Sequence, residues 1–158
     1  MARTSLFAFF IFQLLVSFMA SANDATLFDR KLKAANTGDP EAIYDIATYY
    51  KKGRGVDEDE DTAFEWYQKA AGLGLGKAQY KLGMCFIREI GTDKDEDAAR
   101  TWLGKAADQG YPPAQYQLGK LLAKKGKYNQ AQEWLIKAQE NGYEPATRAL
   151  HKIKKKLR

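Results

Sequence analysis

The chain has 158 residues, enough for one domain, and is 45% hydrophobic and 28% charged. That balance fits a soluble globular fold and excludes a disordered chain. A formal net charge of +5, a single cysteine and a single histidine argue against a nucleic-acid-binding profile, an internal disulfide and a zinc site built from those two residues.

The first 22 residues are a different material. Arg3 gives a short positive start, Leu6 to Ala20 is almost wholly apolar, and Ala20-Ser21-Ala22 places small residues at signal-peptidase spacing. This pattern predicts a cleaved export signal over residues 1–22, with Asn23 opening the mature chain. The competing reading is an uncleaved anchor helix, but the apolar run falls short of the ~20 residues a span needs. Removing the signal takes away Arg3 alone among charged groups and leaves a mildly basic chain.

Residues 23–38 follow as a short helix with Leu27, Phe28 and Leu32 on one side, ended by Gly38. From Asp39 the chain repeats itself. Ala42, Ala78 and Ala114 stand 36 residues apart, and Tyr44, Tyr80 and Tyr116 follow each by two. Trp66, Trp102 and Trp134 begin runs ending at Ala70, Ala106 and Ala138, closed by Gly74, Gly110 and Gly142. Self-similarity at this period means a helical solenoid whose units bury their apolar faces on one another. The units read as 39–74, 75–111 and 112–143, and 144–158 as a basic terminal helix. Residues 23–38 and 144–158 read as half-units capping the stack.

Within each unit the signals are local. Asp39-Pro40 opens the first helix as cap and first-turn proline. The acidic run Asp57 to Asp61 invites a calcium-loop reading, but it lacks the loop's glycine and terminal glutamate. A helix start, where acids interact well with the helix dipole, explains it. The third unit, opening at Pro113, has a shorter connector, placed at Lys125 to Gln130. Ala47, Gly83 and Gly119 share one mid-helix position. Glycine there costs ~1 kcal/mol against alanine, which predicts close approach of a partner helix, with Ala70, Ala106 and Ala138 as facing contacts. The tryptophans repeat at core-like positions. Cys85, beside Phe86, is read as a buried small hydrophobe rather than a reactive thiol.

The pattern Ala78-x-Tyr80-x-Leu82-Gly83, then acids, then Ala99-x-x-Trp102-x-x-Lys105-Ala106-Ala107-x-x-Gly110 resembles the Sel1-like repeat, a relative of the tetratricopeptide repeat. The resemblance implies an all-α, right-handed α-α solenoid of about eight helices, counting the half-repeat caps. Members of that family are adaptors, regulators and assembly factors. A cysteine-rich bacterial subset handles β-lactams, and this chain lacks the paired cysteines of that subset.

By resemblance to the tetratricopeptide groove, the first helices line a concave face. It would present Tyr44, Thr48, Lys51 and Lys52 in the first unit, and Lys77, Tyr80, Met84, Ile87 and Arg88 in the second. Tyr116, Lys120 and Lys124 follow in the third, then Arg148, Lys152, Lys155 and Lys156 in the last helix. Such a basic, tyrosine-rich groove suits an acidic segment or a C-terminal carboxylate, with the acidic runs set apart at the turns. The tyrosines serve equally as packing residues of the motif. His151 and Cys85 lie about two units apart, so a cysteine–histidine catalytic pair is not expected, nor any metal or cofactor. The expected function is an exported, periplasmic or secreted, non-catalytic module binding a protein or peptide. The competing readings are an envelope hydrolase or β-lactam binder on the same stack, and a binder of an envelope polymer.

Overall fold

The computed structural model describes residue 13 and residues 22–157. The expected export signal over residues 1–22 lies outside the described residues except at Gln13 and Ala22. Among the described residues there are eight helices and no strand. They are α1 (22–36), α2 (Pro40–Lys52), α3 (Glu60–Gly72), α4 (Gly76–Arg88), α5 (Glu96–Asp108), α6 (Pro112–Lys124), α7 (Tyr128–Glu140) and α8 (Pro145–Lys156). From α2 to α8 consecutive helices pack on one another, and α6 also touches α8. The architecture is an all-α solenoid.

Helices begin where the chain supplies an acceptor for free N–H groups. Asp39 Oδ1 accepts from Glu41 N–H at 3.0 Å at the start of α2. Asp59 accepts from the N–H of Thr62 at 2.9 Å and from its hydroxyl at 2.7 Å, and these bonds hold the Asp59 carboxyl below its ordinary pKa. Asp95 caps α5 through the N–H groups of Asp97 and Ala98. The acidic runs therefore serve as helix starts.

The close approach at mid-helix is real, but its partners differ from those expected. A Cβ on Gly83 would stand 2.8 Å from Leu103 Cγ and 3.2 Å from the Ala99 carbonyl oxygen; Gly119 meets Leu135 and Ala131 at the same distances. Ala106 and Ala138 are not the nearest contacts. The crossing point lies one turn earlier on the second helix, where a branched leucine fills the missing side chain's space. In the first unit Ala47 stands at the glycine position and Tyr67 at the leucine position.

A second glycine wedge sits in the turn between the two helices of a unit. Gly91 (φ +61°) is packed so tightly on the start of α3 that a Cβ would lie 2.8 Å from Glu60 C and from Phe64 Cβ. Gly55 does the same on α1, where a Cβ would lie 2.5 Å from the Asp24 carbonyl oxygen. The third unit's turn is only residues 125–127, because Asn129 and Gln130 lie in the first turn of α7. The unit's first helix opens at Pro112, and Pro112 and Pro113 both fit a first turn. Here no wedge forms. Lys124 pairs with Glu96 and Lys125 with Asp97 at 3.0 Å instead, and both carboxyls are held below their ordinary pKa by those ammonium groups.

Between units, buried amides tie the helices together. Gln79 Nε2 donates to the Ala71 carbonyl at 3.3 Å, and Gln79 Oε1 accepts from Gln109 Nε2 at 2.8 Å. Gln115 repeats the arrangement with Ala107 at 3.2 Å and Asn141 at 3.0 Å. A buried amide left without such partners would cost about 1–3 kcal/mol, so these bonds specify the register of one unit on the next.

Candidate protein-binding face

The first helices of the units, α2, α4, α6 and α8, bring the expected groove residues onto neighbouring elements, with several corrections. The tyrosine row is half-buried and works in ring pairs. Tyr44 meets Tyr67 at 5.7 Å between centroids, Tyr80 meets Tyr111 at 5.4 Å, and Tyr116 meets Tyr143 at 5.2 Å. Tyr67 is buried, its hydroxyl lies 3.2 Å from Thr48 Oγ1, and burial pushes its pKa up to about 12. Thr48 also donates to the Tyr44 carbonyl at 3.1 Å, so its hydroxyl is committed inside the first unit. Met84 is buried at 7% exposure and forms wall rather than free surface, lining the hollow between α2 and α4 together with Cys85.

The acidic runs do not stand apart from the groove. Lys51 is bound by Glu60 and, at 3.5 Å, by Glu58. Lys77 pairs with Glu41 and lies 4.4 Å over the Tyr44 ring. Lys124 reaches back to Glu96. The physical reason is reach: Lys51 ends α2 and crosses its turn to the first turn of α3, Lys124 ends α6 and crosses a unit junction to the first turn of α5, and Lys77 opens α4 beside the first turn of α2. Lys52, Arg88, Lys120, Arg148 and Lys152 are exposed and have no ion-pair partner among the described residues, and Lys155 and Lys156 share that position on α8. Ile87 is half-buried.

A cleft of about 510 Å³ opens between α6 and α8. Its apolar surface comes from Ala123, Leu135, Pro145, Ala149 and Ile153, and its charged rim from Lys120, Arg148 and Lys152, with Tyr116 beside them. Lys120 lies 5.4 Å from the Tyr116 ring centroid. A smaller hollow of about 120 Å³ lies between α2 and α4, against Lys51, Tyr67, Tyr80, Lys81, Cys85 and Arg88. The sequence reading missed Tyr67, Tyr111, Tyr143 and Lys81. Tyr111 and Tyr143 each follow a unit-closing glycine, and that recurring pair was the available signal.

Other candidate chemistry resolves into structure. Cys85 is 2% exposed, and burial pushes its thiol up to about 11, so it is held protonated. His151 is exposed on α8. Among the described residues no cluster of three or more metal-ligating side chains forms. The tryptophans are half-buried rather than core, in three like environments. Lys69, Lys105 and Lys137 lie 4.4, 4.1 and 4.2 Å over the rings of Trp66, Trp102 and Trp134. Each lysine follows its tryptophan by three residues, so one helical turn places the cation on the ring. No helix among the described residues is long and apolar enough to cross a membrane.

Helix pairs of this length, stacked through glycine crossings, define the tetratricopeptide-like solenoid class. The Sel1 repeat model matches residues 40–75, 76–111 and 112–143, and the chain belongs to the Sel1 repeat family. It is similar to a crystal structure of a Sel1 repeat protein from Oxalobacter formigenes, with 28% identity and a TM-score of 0.76, covering 86% of this chain and 57% of that one. It is also similar to c5321, a protective antigen present in uropathogenic Escherichia coli strains displaying an SLR fold, with 28% identity and a TM-score of 0.79, covering 90% of this chain and 33% of that one. The chain thus spans little more than half of the first and a third of the second. No curated protein matches it.

Proposed function

We propose that the chain is an exported, non-catalytic interaction module that binds an acidic protein segment on its concave face. The Sel1 repeat fold is commonly a protein-interaction scaffold, and an extended concave surface is what stacked helix pairs offer. The observation that carries the acidic partner is the α6–α8 cleft, where Lys120, Arg148 and Lys152 surround an apolar floor with no acidic partner among the described residues. Free cations beside apolar surface recognise carboxylates more strongly than solvated surface charges do. A non-catalytic role agrees with a lone thiol kept protonated inside the core. Export rests on the signal pattern of residues 1–22.

The test is selection from a random peptide library displayed on phage, with the mature chain as bait. Enrichment of Asp and Glu is expected, and loss of that enrichment when Lys120, Arg148 and Lys152 are all replaced by glutamate. Selected sequences that are neutral or basic would overturn the acidic-partner reading.

A further inference from the structure

Resting on that reading, we infer that the α6–α8 cleft is a composite pocket for a peptide segment in which one large apolar side chain is flanked by carboxylates. The cleft is built from two facing pairs, each one helical turn long. Tyr116 and Lys120 stand on α6, and Arg148 and Lys152 stand on α8. The pairs occupy equivalent repeat positions, since Tyr116 to Arg148 and Lys120 to Lys152 are both the 32-residue spacing of the shortened unit.

The preceding groove is built otherwise. At the position of Lys120 and Lys152 stand Thr48, tied to Tyr67, and Met84, buried. At the position of Arg148 stands a tyrosine in every full unit. So the α6–α8 cleft differs from the α2–α4 hollow, where Lys51 is already held by Glu58 and Glu60: its three cations have no ion-pair partner among the described residues.

Neither half of the pocket is satisfied by a simpler ligand. A purely acidic segment would pair the cations and leave Ala123, Pro145 and Ala149, the solvent-reached part of the apolar lining, facing water. A purely apolar one would fill the floor and bring no charge to Arg148 and Lys152. At about 510 Å³ the cleft lies in the range that takes a compact ligand, ample for one aromatic or branched side chain with its flanking backbone. Arg148 suits a two-oxygen contact with one carboxylate, and the two lysines suit point contacts with another. The carboxylates can be side chains of an internal segment or can include a chain terminus; the recognition chemistry is shared.

The experiment is fluorescence polarisation with labelled hexapeptides. The probe has five glutamates around one phenylalanine and is amidated at its C-terminus. Controls replace phenylalanine by serine, replace glutamates by lysines, or leave the terminus a free acid. Proteins are the mature chain, Ala149→Trp to fill the cleft, and Arg148→Glu with Lys152→Glu to reverse the rim. Helical circular dichroism checks that each variant is folded, and exposed Arg148 and Lys152 can be reversed without touching the core. The inference expects at least tenfold weaker binding on the serine exchange, on Ala149→Trp and on the rim reversal. A free-acid probe at least tenfold tighter than the amide also supports it and assigns one carboxylate to a chain terminus. Serine and phenylalanine probes that bind within threefold of one another, with Ala149→Trp unaffected, sink the composite pocket while leaving the acidic-partner reading intact. No binding of any glutamate probe at 20 mM salt sinks both. Anionic phosphatidylglycerol vesicles bound through Arg148 and Lys152, with the peptides ignored, would reassign the rim to a lipid surface and overturn the inference.

Discussion

Residues 23–74 carry eleven acidic and seven basic side chains, whereas residues 112–158 carry three and eleven. The two ends of the stack share a backbone plan and differ in what they do with charge. At the first end the chain's own acids hold three lysines: Glu58 and Glu60 hold Lys51, Glu41 holds Lys77 of the next unit, and Asp45 holds Lys31 of α1 at 2.6 Å. In the α6–α8 cleft, Lys120, Arg148 and Lys152 have no such partners among the described residues. The buried side chains divide the same way, one cluster running from Phe28 to Cys85 and the other from Leu103 to Ile153. A repeat can thus keep its interior and assign its surface unit by unit, so the motif reports fold and the departures from it report where binding is.

The largest difference to break concerns the turns. Gly91→Ala should destabilise the chain by about 3 kcal/mol or more, because a Cβ there meets the backbone at Glu60 in a left-handed conformation. Gly126→Ala, with nothing within 4 Å, should cost only about 1–2 kcal/mol of backbone strain. Urea unfolding of both variants checks the contrast, and equal losses would mean the wedge is not what docks the second unit.

A smaller effect sharpens the same comparison. Glu89 ends α4 at φ 58°, where the first unit has Gly53 at φ 59°. Glu89→Gly should raise stability by about 0.5–1 kcal/mol in the same assay.

The smallest effect is pH. The carboxyls of Glu96 and Asp97 are held below their ordinary pKa by Lys124 and Lys125. A depressed folded pKa contributes stability that is present above the ordinary carboxylate range of about 4 and lost as pH falls through the folded value. Amide exchange at residues 125–130 should therefore quicken below about pH 4 more than at residues 89–95, where a glycine wedge holds the turn.

Much of this architecture was legible from residues. The 36-residue return of Ala42, Ala78 and Ala114 located the units, and Asp39, Asp59 and Asp95 announced helix starts through a local rule. The glycines at 83 and 119 announced a close crossing, but which side chain fills the gap depends on crossing geometry, and no spacing in one helix contains that. The groove suffered more. Placing Tyr44, Lys51 and Lys77 on one face followed from the resemblance to the tetratricopeptide groove, whereas the capture of the two lysines by Glu41, Glu58 and Glu60 depends on how far each side chain reaches across a turn or a junction. Met84 read as surface through the same resemblance, which does not report how deep a side chain sits in the wall of the groove.

The most direct measurement is lysine footprinting by limiting acylation and mass spectrometry, with and without an acidic peptide carrying one phenylalanine. The account predicts that the peptide protects Lys120 and Lys152 strongly and leaves Lys51 and Lys77 unchanged. Equal protection of all four, or protection of Lys51 and Lys77 alone, would contradict it.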